Sequence, residues 1–332
     1  MPARRAVMLL LVLGGLAVGG PWLAPYDPSI ALRGYLHAPP MWPRMSAGLA
    51  FYPVVLEDRL EQRFVEDRTR TVPGPWARGS EPVFLFGADR TGRDVFSRVL
   101  AGARVSLGLG ILAVLGATAL GGVLGALAGW RGGVTDDFVM RVADFLLILP
   151  VLYVVLVLRA VLPLVLAPGV VFLLMLAIFV LVGWPIVARG VRSLVVRERT
   201  SEYVIASRSA GAGTAHVLRR HLLPACAGHV AVQASLLLPG FILAEAALSY
   251  VGLGFPDTLP TWGTMLREAA DINELSRFPW TLAPAVAIFA VTLATNLALQ
   301  DANSGPITRS PDEITRSPNH QLRSRDHKVA TS

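Results

Sequence analysis

Six stretches of this 332-residue chain are long and nearly free of charge, and that feature restricts the possible folds more than any motif. A bilayer core of about 30 Å takes roughly 20 apolar residues per helix. Runs of that order fall at 6–24, 105–130, 138–162, 170–187, 230–251 and 280–299. In lipid the backbone must satisfy its own hydrogen bonds, so each run is expected to be a helix. Hydrophobic residues make up 53% of the chain and charged ones only 16%, against about 25% charged in soluble domains. Most runs are rich in glycine or alanine, as in "GATALGGVLGALAGW", which suits close helix approach in a membrane. The expected fold class is therefore an all-α integral membrane protein with six transmembrane helices.

Arginine sets the expected orientation, because positive residues beside spans stay on the cytoplasmic side. Between Arg189 and Arg220 lie seven arginines against Glu198 and Glu202. The link between the third and fourth runs holds none, and the one after the fifth holds Arg267 and Arg277 against four acids. Residues 1–5, the segment 189–229 and the tail 301–332 are thus expected inside a cytoplasmic membrane, with 25–104 outside. The first run also has the look of a secretory signal, with a small-residue cleavage site at Ala17 to Gly19. Cleavage there would leave Pro21 almost at the new terminus and five spans in place of six.

The outer segment "LEDRLEQRFVEDRTRTVPGPWARGS" spaces its charges as a solvated helix does, then breaks at prolines and glycines. The tail repeats "ITRSP" and lacks apolar periodicity, so it is expected to be disordered. Residues 105–300 are left as a core of five membrane helices.

Reactive chemistry is sparse. Only Lys328 of the 30 Lys and Arg residues is a lysine, so no GxxxxGK[ST] phosphate loop exists and the chain cannot bind ATP in that way. No HExxH or G-x-S-x-G occurs. Cys226 is the sole cysteine, which excludes an intrachain disulfide and a thiolate metal cluster. No cofactor or metal is expected on this chain, and an enzymatic reading finds no catalytic set. A net charge of +7 reads as cytoplasmic arginine excess; nucleic acid is not an expected partner, membrane lipid is. Asp144 and Glu245 fall inside spans, where a charge costs roughly 2.5 to 3.5 kcal/mol. Both are candidate intramembrane polar residues. Glu245 reads equally as a carboxyl joining two helices or as a substrate contact, and Asp144 as a partner for Arg141 or the interface.

One segment resembles none of the spans: "EYVIASRSAGAGTAHVLRRHLLP", Glu202 to Pro224. Ser201 or Thr200 can cap a first short helix, Gly211 permits the left-handed residue that ends it, and Thr214 can cap a second that Pro224 closes. Small residues at Ala206, Ser207 and Ala210 admit a close surface. A basic loop on anionic lipid is the alternative.

This segment is similar to the cytoplasmic EAA loop of the permease subunits of ABC importers. The triplet falls on Ile205, Ala206 and Ser207, the glycine on Gly211, and the closing pair on Leu223 and Pro224; Ile205 stands where that family has a glutamate. "GADRTGRDVFSRVLAGARVSL" (87–107) and "ILAEAALSYVGLGFPDTLPTWGTML" (242–266) resemble blocks of the dipeptide, oligopeptide and nickel branch. The resemblance implies a type I importer permease fold with a cytoplasmic coupling helix that contacts the ATPase through Glu202, Tyr203, Ala206, Ser207, Arg208, Gly211, Ala212, Leu223 and Pro224. It implies a second permease subunit as heterodimer partner, two ATP-binding subunits that hold the ATP, and an extracytoplasmic substrate-binding protein that docks near "GADRTGRD" and Trp262. An ion-coupled secondary transporter using Asp144 and Glu245 is the competing reading.

Overall fold

A computed structural model describes residues 18–20, 22–43, 50–59, 61–76, 81–150 and 166–303, together with Met8, Gly15, Tyr153 and Val157. Most of the expected first span, most of the expected third beyond Pro150, and the tail from 304 lie outside the described residues. Among the described residues four helical stretches are long and apolar enough to cross a membrane: Val95–Arg131, Pro168–Glu198, Thr214–Tyr250 and Pro279–Leu297.

Helix α1 (Val95–Arg131) begins well ahead of the apolar run, because Asp94 caps it: its carboxylate accepts the Ser97 amide at 2.8 Å. Gly132, at φ 65°, ends α1, and α2 (Gly133–Ile148) turns straight out of it. The third run was expected to be helical from Phe138 to Leu162. Leu149 is instead extended ahead of Pro150, the conformation a following proline imposes. Helix α3 (Pro168–Glu198) carries Pro185 inside it and continues past Val187, where the apolar run stops, to a charged end.

Helices α1 and α3 pack along one another through glycines four apart. A Cβ on Gly121 would lie 2.6 Å from the Trp184 carbonyl oxygen, and one on Gly125 2.4 Å from that of Ala188. Only bare backbone fits at these crossings, the small-xxx-small geometry of membrane helices. Beside them, Phe179 of α3 stacks on Phe241 at 5.1 Å, and Leu107, Leu238 and Ile242 complete a buried core.

Helix α4 (Glu202–Ser209) is followed by α5 (Thr214–Val217), a π-helical turn (Leu218–Leu222) and α6 (Leu223–Tyr250). Here the expectation that Pro224 closes a short second helix fails, since the helix runs on without a break. Proline lacks an N–H and its ring collides with the carbonyl four residues back. The wider π turn just before it lets the chain pass that obstacle without ending. Then come α7 (Trp262–Glu268), α8 (Ile272–Arg277), a 3-10 turn (Pro279–Leu282) and α9 (Ala283–Asn303).

The outer segment departs most from expectation. In place of a solvated helix it forms strands β1 (Ala50–Phe51), β2 (Val54–Asp58), β3 (Arg63–Glu66) and β4 (Val72–Pro73), paired antiparallel as β1 with β4 and β2 with β3. The charges that matched a helical period also match a strand that turns Val54 inward and Val55 out, and Val and Phe favour the pleated surface. Phe51, Val54, Val83 and Phe84 close a small core of their own. Among the described residues the all-α expectation therefore holds for the long apolar stretches and not for this insertion.

Candidate functional site

The basic hairpin is assembled where the ends of α1 and α3 meet the start of α6. Ser201 occupies the N-cap of α4, but its hydroxyl donates to the Glu198 carbonyl at 2.6 Å, so it caps without a side-chain bond to the helix. Thr214 is not the cap of α5; Gly213 is. The end of α4 is as expected. Gly211 has φ 89°, its amide donates to the Arg208 carbonyl at 2.9 Å, and the Ala212 amide donates to that of Ser207 at 3.1 Å. These two bonds are the Schellman pair that satisfies otherwise orphaned carbonyls.

A single residue of α4 points inward. Val204 is fully buried against Val191, Val195, Val217, Leu222 and Cys226, worth about 1.5–3 kcal/mol. The rest of the helix is held by its edges. The Tyr203 hydroxyl donates to Glu198 at 2.9 Å, and the Arg208 guanidinium sits 5.5 Å above the Trp130 ring of α1. Arg199 donates to the Gly129 carbonyl at 2.9 Å, tying the end of α3 to α1. Glu202, Tyr203, Ile205, Ala206, Arg208, Leu223 and Pro224 are exposed, with Ser207 and Ala212 half-buried. The expected contact residues thus share one hairpin with an open face.

The two acids expected inside spans are both engaged. Asp144 pairs with Arg189 of α3, not with Arg141. Glu245 is fully buried and accepts from Ser106 of α1 at 2.8 Å and from Ser249 at 2.7 Å, with Thr261 as a further hydroxyl neighbour. The Trp262 amide in turn donates to Ser106 at 3.2 Å, and its indole N–H donates to the Val99 carbonyl at 3.0 Å. Trp262 is only 3% exposed. It is a strut between α7 and α1, which corrects its expected place on an outer docking face.

The far end of α7 is fixed by charges that the sequence reading did not join. Arg98 is 1% exposed and contacts both Asp89 and Glu268. Arg93 donates to Asp89 at 2.8 Å and to both Glu268 oxygens at 3.0 Å. Two cations and two anions cancel here, which is the condition for burying ions without a net charge. Burial raises the Asp89 carboxyl, but Arg98, Thr91 and Arg93 outweigh it and hold it below the ordinary carboxylate range. Asp94 has no cation to offset its burial, and despite the Ser97 hydrogen bonds it is pushed up to about 6. The i,i+4 spacing of Asp89 and Arg93 was a visible signal; Glu268, distant in sequence, had none.

Comparison with known proteins adds a family to this geometry. Residues 121–301 match the model of the "Binding-protein-dependent transport system inner membrane component". The chain is 34% identical over 304 residues to the di/tripeptide transport system permease protein of Pseudomonas aeruginosa, covering 90% of this chain and 86% of that one. It is 40% identical over 197 residues to the oligopeptide transport system permease protein of Bacillus subtilis, covering 59% of this chain and 62% of that one. The dipeptide transport system permease protein of Haemophilus influenzae is 30% identical over 303 residues, with 90% and 89% covered.

Proposed function

The chain belongs to the binding-protein-dependent inner-membrane permeases, the membrane subunits of ABC importers, and stands with the peptide permeases among them; from that premise we propose how it couples transport to a motor. It is a transport subunit and not an enzyme, since ATP hydrolysis in this family sits on separate subunits. In our reading the chain crosses the membrane six times with both termini and the α4 hairpin in the cytosol. Helix α4 seats in a groove of an ATP-binding subunit, a sister permease completes the pathway, and a binding protein delivers peptides from outside.

The observation that carries this is the build of α4. It is short, ended by a Schellman motif, open on one face, and fixed to three long helices through Val204, Tyr203 and Arg208. A push on that face reaches the spans because the link is stiff, and a two-state element shifts only when the force is transmitted to it. The engagement of Asp144 by Arg189 and of Glu245 by serines leaves the ion-coupled alternative without a free carrier in either acid.

The test is Gly211→Val. A Cβ there meets nothing within 4 Å, so the defect is confined to the left-handed backbone, at about 1–2 kcal/mol. Peptide uptake and peptide-stimulated ATP hydrolysis by the assembled transporter should fall more than tenfold while insertion is unchanged. Normal uptake with normal coupling in this variant would overturn the reading.

A further inference from the structure

The open face of α4 has a low middle and two raised flanks. Opposite the buried Val204 lie Glu202, Ala206 and Ser209, all exposed; past the first turn this strip is small enough for close approach. At 3.6 residues per turn Tyr203 and Ile205 stand on opposite sides of it, 43% and 54% exposed. The flanks differ in chemistry. The Tyr203 hydroxyl donates to Glu198 at 2.9 Å and its ring lies 5.7 Å from that of His221, so that side is anchored and polar-tipped. Ile205 presents hydrocarbon alone, on a side chain stiff at χ1. Acyl chains do not reach it: Val204 packs with Val191 and Val195 of α3, about 6–12 Å beyond Val187, where the apolar run stops.

We propose that Ile205 selects the ATP-binding subunit by entering an apolar pocket in one wall of the groove that takes α4. The assignment rests on the seating of α4 proposed above and adds the chemistry of the seat. Ala206 and Ser209 let the groove floor approach, and the flanking side chains then meet its two walls. A polar lining against Ile205 would lose its water without gaining a partner, and Glu202, three residues earlier on the same side, repels an acidic one. Because the opposite wall meets a tyrosine, the two walls are not interchangeable, and the helix has one orientation in the seat. A motor with a polar wall at this point is rejected.

The experiment measures the dissociation constant of the purified ATP-binding subunits from the membrane subunits in lipid discs. Ile205→Leu should bind close to the wild type, Ile205→Ser about 10-fold more weakly, and Ile205→Glu more weakly still. Peptide-stimulated ATP hydrolysis by the Ile205→Ser transporter should return to the wild-type level at saturating subunit, unlike that of Gly211→Val, since the stiff link is intact. Ser and Glu variants that bind as tightly as the wild type overturn the proposal. Thr200→Cys, at an exposed position just ahead of α4 and carrying a photoreactive maleimide, reports separately on what covers the helix; Cys226 is 1% exposed and does not compete. A cross-link to an ATP-binding subunit supports the seating whatever the Ile205 variants show, whereas a cross-link to the sister permease or to lipid instead sinks the seating and the proposal with it.

Discussion

The two ends of α1 are fastened by different physics. At its start Arg98, nearly devoid of solvent exposure, is locked between Asp89 and Glu268 with Arg93 alongside. Near its finish one buried valine, one hydroxyl and one ring–guanidinium contact hold α4. Buried ion clusters are brittle, because loss of one member strands the others without solvent. Apolar and edge contacts are individually weak and can be remade after a shift. In the orientation proposed above, the difference teaches that α1 and α7 are locked together at the outer end, and that adjustment to a partner falls to the cytosolic end.

That contrast breaks most visibly at Arg98. Arg98→Ala leaves Asp89 and Glu268 buried together without their central cation, and should cost about 3–5 kcal/mol, read as a large fall in the thermal midpoint of the purified subunit with uptake lost alongside. A variant as stable as the wild type would show that the outer cluster does not lock the block. Next in size is Val204→Ala, which removes the one buried side chain of α4 and should cost about 1–2.5 kcal/mol. Binding of the ATP-binding subunits should weaken with it, while limited proteolysis of the outer segment stays as in the wild type.

Gly211→Val sharpens the comparison from the other side, with a stability cost of about 1–2 kcal/mol but a functional loss out of proportion to it. Gly211→Asn, which tolerates a positive φ better, should recover part of the uptake. The smallest effect is at Asp94. Its carboxyl titrates near 6 in the fold against 3.8 in the unfolded chain, so its favourable contribution is complete below the lower value and is lost as pH rises through the higher. Asparagine caps a helix as well as aspartate. Asp94→Asn should therefore leave the thermal midpoint unchanged at pH 4 and raise it at pH 7; an identical midpoint difference at both would refute the assignment.

What the sequence disclosed follows from the range of each cause. Apolar run length is local, and four of the expected spans reappear as helices of sufficient length and apolarity, or as part of one. Gly211 was legible because a left-handed residue after a short helix is a local demand. Helix ends were less so. Val95 starts α1 because of a capping aspartate, and Pro224 is passed by a π turn that apolar periodicity does not announce. The hairpin of β2 and β3 was misread because charges spaced along "LEDRLEQRFVEDR" satisfy two periods at once, and burial of Val54 and Phe51 broke the tie. Arg98 with Glu268, and Ser106 with Glu245 and Trp262, are encounters across more than a hundred residues, for which a single sequence carries no spacing rule.

Cys226 gives this arrangement a built-in reporter. The chain has one thiol, and it is 1% exposed in the seam where Val204 meets the long helices. A thiol reagent reaches it only in molecules whose seam has parted, so the labelling rate of the unmodified protein measures how often that happens. Comparing the rate with and without nucleotide on the motor would time the opening of the seam without introducing a probe.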